Sequence, residues 1–266
     1  MSQNIHSTAI IEDGAKISPN VTIGAYCVIG RKVVLHEGVV LHSHVVIDGV
    51  TTIGENTEIF PFASIGKRCQ DLKFGGEESE LVIGSNNVIR EQVTIHPGTK
   101  GGGMKTIVGN NGLFMIGAHI AHDCMIGNNV IMANNATLGG HVHVGDFTVI
   151  GGLVGVHQFV RIGEHAIIGG MSGVENDVMP YARVKGERAV LAGLNLIGLE
   201  RRGFSKDDIK TLQRAYNRLF ANDGTLEDRL KQVSSEFADV KPVMDIVEFA
   251  QVKTKFALCQ PARKTA

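Results

Sequence analysis

The chain has 266 residues, and its 43% apolar and 20% charged composition excludes a disordered or fibrous protein. A net charge of −1 gives no support to nucleic-acid binding, and no run of about 18 apolar residues predicts a transmembrane segment. Cys27, Cys69, Cys124 and Cys259 are widely spaced with no CxxC pair, which fits a reducing, cytoplasmic setting, and Met1–His6 lacks the basic and apolar start of a secretory leader.

From Ile5 the chain follows a period of six. The aliphatic residues Ile5, Ile11, Ile17, Ile23, Ile29, Leu35, Leu41, Ile47, Ile53, Ile59 and Ile65 recur in succession. Four places after them come small or β-branched residues such as Ala9, Val21, Cys27, Val39 and Ala63. Six is not a multiple of 3.6, so a helix cannot produce this order. Short strands joined by corners can, with both sets pointing inward. Gly or Asn often fills the fourth place, as at Gly14, Asn20, Gly38, Asn56, Asn87, Gly98, Asn111, Gly117, Asn129 and Asn135. These residues suit left-handed corner angles. Three hexads would close a triangular coil, and coils would stack about 4.8 Å apart. A narrow prism leaves little room for rings, in keeping with 5% aromatics and no tryptophan.

Two segments interrupt the period. Residues 70–81, QDLKFGGEESEL, and residues 97–106, PGTKGGGMKT, read as loops bulging from corners. Gly101-Gly102-Gly103 suggests either a phosphate cradle or a flexible flap. The phase resumes at Ile83, slips by one residue across the second loop, and runs from Val108 to Val174. It fades after Pro180. We expect a β-helical domain over 1–188 and a helical domain over 189–266. There Ser205 with Asp208 and Thr225 with Asp228 are capping signals, and Pro242 can open a last helix. The apolar faces would be Ile209, Leu212, Tyr216, Leu219 and Phe220, then Leu226, Leu230, Val233 and Phe237, then Val243, Ile246, Phe249 and Val252. This end is basic: residues 183–266 hold 16 Lys and Arg against 11 Asp and Glu, while residues 1–182 hold 10 against 16. It suits an acidic partner or is a solvated helical surface.

None of the eleven histidines occupies an inward place of the hexad. His6, His36, His42, His44, His143 and His165 read as surface residues. His119-Ile120-Ala121-His122-Asp123 stands apart. Eighteen residues on from His122 come Gly140 and His141, and eighteen further His157 and Gln158, so an outer column of His122, His141 and Gln158 is predicted. Two chemistries fit it: His122 as a general base oriented by Asp123, or three histidines holding a zinc ion with a water as nucleophile.

The hexad resembles the hexapeptide-repeat acyltransferase superfamily. That resemblance, and not the periodicity, implies left-handed coils, hence an all-β left-handed parallel β-helix followed by a small C-terminal α-helical bundle. Gln70-Asp71-Leu72-Lys73, Thr94-Ile95-His96, Ala118–Cys124 (AHIAHDC), Ala133–Leu138 (ANNATL), Val156–Phe159 (VHQF) and Arg201–Ser205 (RRGFS) together resemble the UDP-N-acetylglucosamine O-acyltransferase family. The resemblance implies transfer of a (R)-3-hydroxyacyl group from acyl carrier protein to the 3-hydroxyl of UDP-N-acetylglucosamine, the first step of lipid A synthesis. His122 would be the base, Asp123 its orienting acid and the Gly140 N–H an oxyanion donor, with no metal, no cofactor and no covalent intermediate. Asp71 and Lys73 would hold the sugar, with His96, His119, His141, His157 and Gln158 nearby. Asn195, Arg201 and Arg202 would meet the nucleotide. Gly170 matches the family's acyl-chain ruler and implies a longer chain, and Ile197 departs from a glutamate found near the uracil. A homotrimer with sites between subunits is also implied, the basic end docking acyl carrier protein.

Overall fold

The computed structural model describes residues 4–262. Met1–Gln3, which open the stretch read as lacking a leader, lie outside the described residues. Most strands are two residues long, such as Thr22–Ile23 and Val28–Ile29, with the second residue of the pair facing inward. Each stacks in parallel on the strand one coil away, Thr22 on Val40 and Ile23 on Leu41. Among the described residues the strands form three sheets of 11, 9 and 8 strands, the walls of a triangular prism. We call them sheet 1 (beginning with Asn4–Ile5), sheet 2 (with Ile10–Ile11) and sheet 3 (with Lys16–Ile17).

The predicted inward residues form the core. Ile29, Leu35, Ile47, Ile59 and Ile65 are fully buried, and so are Cys27, Val33 and Val45 from the second set. Ile5, Ile11 and Ile17 are only partly buried because their coil has a neighbour on one side alone. A β-branched side chain on a short pleat meets its copy one coil above, so the whole column shares one apolar interior.

The corners take left-handed backbone angles at Asn20, Asn56, Asn111, Asn129 and Asn135, as the pattern predicts. Two predicted corner residues behave otherwise. Asn86 rather than Asn87 has φ near 58°, and Asn87 turns inward to bond the carbonyls of Gly84 and Gly109 and the N–H of Gly112. Gly98 has no left-handed angle, and it is small because the Lys105 backbone presses on it. Bulky residues also take corner angles, each at a cost of roughly 1–2 kcal/mol. They offset it by stacking coil on coil. Tyr26, His44 and Phe62 form one ring column with centroids 5.1 Å apart. Phe147, His165 and Tyr181 form another at 4.8 and 5.5 Å. His44 and His165, read from sequence as plain surface residues, are therefore rungs of aromatic stacks.

Both loops leave the prism at the edge between sheets 2 and 3. Glu58 pairs with Val88, which gives the first loop twelve residues beyond a regular coil. Thr94 pairs with His119, which gives the second loop seven. Twelve is two hexads and leaves the phase intact; seven is one more than a hexad and causes the slip. Each loop yields its last two predicted residues to a strand, because Glu80 and Leu81 pair with Lys105 and Thr106.

The helical end begins later than the pattern predicts. Val190–Leu194 is a strand that turns back antiparallel onto Ala182–Lys185 and ends sheet 1. Four helices follow among the described residues: α1 Leu196–Arg201, α2 Lys206–Leu219, α3 Leu226–Glu236 and α4 Lys241–Gln251. Both capping boxes are closed, with Ser205 and Asp208 on α2 and Thr225 and Asp228 on α3. Val252, assigned to the apolar face of α4, lies beyond the helix and is 55% exposed. The tail returns to the prism, where Leu258 pairs with Asp177 and Pro261 with Leu191. No helix among the described residues is long and apolar enough to cross a membrane.

Candidate active site

At the edge between sheets 2 and 3 the coils bring His122, Gly140 and His141 together as the hexad arithmetic predicts, but Phe159 rather than Gln158 stacks on His141. His122 and Asp123 link strand His119–Ile120 to strand Met125–Ile126, and Gly140 and His141 make the same corner one coil on. Asp123, His141 and Phe159 all take φ near 60–68°. The His122 ring lies directly over Gly140, where an added Cβ would stand 2.5 Å from its Cε1. His141 stacks flat on Phe159 at 4.3 Å and meets the His122 ring edge-on at 5.0 Å.

His122 Nδ1 lies 2.7 Å from Asp123 Oδ2. A carboxylate only accepts, so this contact assigns the ring proton to Nδ1 and leaves the Nε2 lone pair free. Asp123 is buried, 2% exposed, and its backbone N–H donates to Thr106 Oγ1 at 2.8 Å. From the first loop, Asp71 Oδ2 comes to 4.0 Å from His122 Nε2. A hydroxyl at about 2.8 Å from each of these atoms fits between them and can donate to one while facing the other. Asp71 is held by a tight turn in which its Oδ1 accepts the Lys73 N–H at 2.9 Å; Lys73 itself is exposed.

His96 and His119 flank the pair. Their rings meet edge-on at 5.0 Å, and His119 Nδ1 is 2.7 Å from Thr94 Oγ1. Both point outward from the prism as predicted, yet His96 is 6% exposed and His122 8%. Burial first, then the neighbouring His119 and His122, pushes His96 down to about 4. Burial likewise lowers His119, with His122 adding to it. At His141 burial outweighs the Asp123 carboxylate and again lowers the value. Uncharged imidazoles therefore surround His122, while carboxylates stand at both of its nitrogens.

The N–H of Gly140 has no acceptor among the described residues, whereas its carbonyl accepts from Phe159 N–H at 3.0 Å. The zinc alternative calls for three histidines, whereas the ligand atoms that lie within 4.8 Å of one another among the described residues belong to His122, Asp123 and His141. The acid in that group already accepts at both oxygens, from Thr99 and His122, and a set of three histidines is not assembled among the described residues. His157 and Gln158 lie further along the edge on a shallow groove with Gly139, Gly155 and Gly173.

Other predicted site residues lie elsewhere on the prism. Gly170 is on the edge between sheets 1 and 2, stacked on Gly152, not beside His122. Asn195, Arg201 and Arg202 belong to the region of the edge between sheets 3 and 1. Asn195 caps α1 by accepting from the Gly198 N–H, and its Nδ2 donates to the His165 carbonyl at 2.8 Å. Arg202 donates to the Phe147 carbonyl at 2.7 Å and lies over that ring. Its Nη1 is buried with no partner, and burial lowers its pKa. Arg201 is exposed. Ile197 is 65% exposed.

Sequence reasoning missed Thr99, Thr106 and Gly102. They lie in or beside a loop where the hexad rule gives no register, and a lone Thr in a glycine-rich run carries no signal of its own. Of the three glycines only Gly102 packs on the site, while Gly101 and Gly103 are exposed. Thr99 is bonded to Asp123, and Gly102 presses on the same carboxylate.

Comparison with known proteins matches two family descriptions, "Bacterial transferase hexapeptide (six repeats)" over residues 14–49 and "Udp N-acetylglucosamine O-acyltransferase; Domain 2" over 177–259. The acyl-[acyl-carrier-protein]–UDP-N-acetylglucosamine O-acyltransferase of Rickettsia prowazekii is 56% identical over 258 residues, 97% of this chain and 98% of that protein. A crystal structure of a UDP-N-acetylglucosamine acyltransferase superimposes with a TM-score of 0.94 at 44% identity, covering 97% of this chain and all of that one. The LpxA structure from Acinetobacter baumannii gives 0.91 at 43% identity, with 95% and 99% covered. The likeness includes the winding, so the coils are left-handed and the fold is a left-handed parallel β-helix with a helical C-terminal end. Identity above one half, sustained from the first coil through the helical end, means that this chain belongs to the acyl-[acyl-carrier-protein]–UDP-N-acetylglucosamine O-acyltransferase family.

Proposed function

We propose that the protein transfers a (R)-3-hydroxyacyl group from acyl carrier protein to the glucosamine 3-hydroxyl of UDP-N-acetylglucosamine, the first step of lipid A synthesis, in the cytoplasm. The observation that carries this reading is the free Nε2 of His122, 4.0 Å from Asp71 and backed by Asp123 at Nδ1. The 3-hydroxyl lies between Nε2 and Asp71 and gives its proton to Nε2 as its oxygen attacks the thioester carbon. Asp123 steadies the imidazolium so formed. Charge gathers on the former carbonyl oxygen, which the Gly140 N–H receives. The C–S bond then breaks, and the leaving thiolate takes the proton back from His122. The reaction so written uses no metal, no cofactor and no enzyme ester.

The sugar is held by Asp71 and Lys73 beside His96, His119 and His141. His157 and Gln158 lie near the sugar as well, and Gly170 sets the length of the acyl chain. Asn195, Arg201 and Arg202 meet the nucleotide. These parts occupy three different edges of one prism, so a single chain cannot present them to one substrate. A homotrimer can, because three prisms around one axis bring unlike edges together. An apolar ridge supports such packing: Tyr26, Phe62, Leu153 and Met171 are 59–74% exposed along the edge between sheets 1 and 2. The division of the chain follows the same logic. Residues 1–188 carry the chemistry, and the basic residues 189–266 dock the acidic carrier protein.

The test is mass spectrometry of the product made from UDP-N-acetylglucosamine and a panel of acyl carrier proteins. A 3-O-hydroxyacyl nucleotide sugar is expected. His122→Ala should lower kcat by about 10²–10⁴-fold, the usual size of a general-base contribution. Near-normal turnover in that variant, or no acylated sugar from the unaltered enzyme, would sink the reading.

A further inference from the structure

The loop over residues 97–104 grips the acid of the site with more contacts than bridging two strands requires. Asp123 Oδ1 accepts the Thr99 N–H at 2.8 Å. Asp123 Oδ2 accepts the Thr99 hydroxyl at 2.6 Å, and the same oxygen faces His122 Nδ1 at 2.7 Å. Thr99 is 3% exposed. The Gly102 backbone lies so close to the carboxylate that a Cβ there would collide with Asp123 Cγ and both oxygens. The loop is closed on Thr99, whose carbonyl accepts the N–H groups of Gly102 at 3.0 Å and Met104 at 2.9 Å. It is also tied to the loop that carries Asp71: Glu77 Oε1 accepts the Lys100 N–H at 2.9 Å, and Glu77 Oε2 the Gly75 N–H at 2.8 Å.

We propose that Thr99 is a positioning residue for the acyl transfer, acting through Asp123 on His122. A carboxylate terminus turns freely about its last torsion, whose wells are broad. Two donors from one residue, one on each oxygen, fix that torsion. Oδ2 then meets the His122 Nδ1–H, and the ring is held with Nε2 toward the acceptor hydroxyl. Charge-assisted bonds of this length are among the stronger ones a protein makes, and a loss of alignment near 1 Å can cost about 10²-fold in rate. Gly102 completes the grip because only a residue without Cβ lets the loop close on the acid.

The inference rests on His122 being the base, and the experiment separates the two. Thr99→Val keeps the shape and removes the hydroxyl; Thr99→Ser keeps the hydroxyl and removes the methyl. Val should lower kcat about 10–100-fold with the KM for UDP-N-acetylglucosamine within about twofold, while Ser stays near the unaltered rate. A merely structural role would reverse that order, since Val fills the space better. In an Asp123→Asn background the Val substitution should add almost no further loss, because the pair acts as one unit. Should Val prevent folding, Thr99→Ala is read in the same way against Ser. Full kcat in Thr99→Val, equal losses in Val and Ser, or a full multiplicative loss with Asp123→Asn would each overturn the proposal. If any of these occurs while His122→Ala is inactive, the positioning role alone fails; an active His122→Ala variant removes the base itself.

Discussion

Gly140 does two things that are separable by substitution. Its N–H has no acceptor among the described residues, and its missing side chain makes room for the His122 ring. Gly140→Ala keeps the N–H but places a methyl 2.5–2.6 Å from Cε1 and Nε2, so the ring must move. We expect kcat to fall about 10²-fold, the scale of a 1 Å misplacement, with the circular dichroism spectrum and oligomeric state unchanged. Turnover within threefold of the unaltered enzyme would show that the ring relaxes without penalty. At this scale the sequence was legible where two residues adjoin or lie eighteen apart, as His122 lies beside Asp123 and over Gly140. It was not legible for Thr99, whose contact with Asp123 spans 24 residues across a loop without period. Nor does the hexad distinguish an outward histidine in water from one covered by a loop, which is why the burial of His96 came only from the structure.

Helices α2 and α3 announce themselves through Ser205 with Asp208 and Thr225 with Asp228, because a capping box is a local exchange of hydrogen bonds. Helix α1 does not, being six residues long and containing Gly198. The strand Val190–Leu194 was missed for a related reason: it pairs with a neighbour in sequence and departs from the hexad. The closed box on α2 gives a local prediction. Ser205→Ala should cost about 1 kcal/mol of helix stability, so amide exchange in the first turn of α2 should quicken about fivefold while exchange in the prism core stays the same. Equal exchange in both proteins would mean that tertiary packing alone holds that helix end.

For the molecule as a whole, the scattering of the proposed site parts over three edges predicts complementation. His122→Ala and Arg202→Ala should each be nearly inactive alone. Mixed, unfolded and refolded together, they should regain activity in the assemblies where one subunit supplies the histidine and its neighbour the arginine. No recovery in mixtures that contain mixed trimers by native mass spectrometry would place both groups on the same subunit's substrate. A second whole-molecule property follows from imidazoles that the fold buries wholly or in part. His96, His119, His141 and His165 all have lowered pKa values, with burial the leading cause. Between the ordinary value near 6.5 and the lowered ones, the unfolded chain binds protons that the folded one refuses, so stability falls as pH drops through that window. Tm should decline from pH 6.5 toward pH 4, the value to which His96 is pushed, and less steeply in His96→Asn. A Tm flat across that range in the unaltered protein would contradict the assignment.

The regular register of one coil on the next, with His119 over Thr137 and Thr137 over Gly155, also governs how such a chain can change length in descent. Losing one residue within a wall turns every later aliphatic side chain out toward water, whereas duplicating a complete turn keeps all of them facing the axis. Growth is therefore stepwise, like adding storeys to a tower, and irregular insertions survive only as balconies at a corner. The two that this chain carries hang from the same corner, on successive floors, immediately before the one that bears the imidazole.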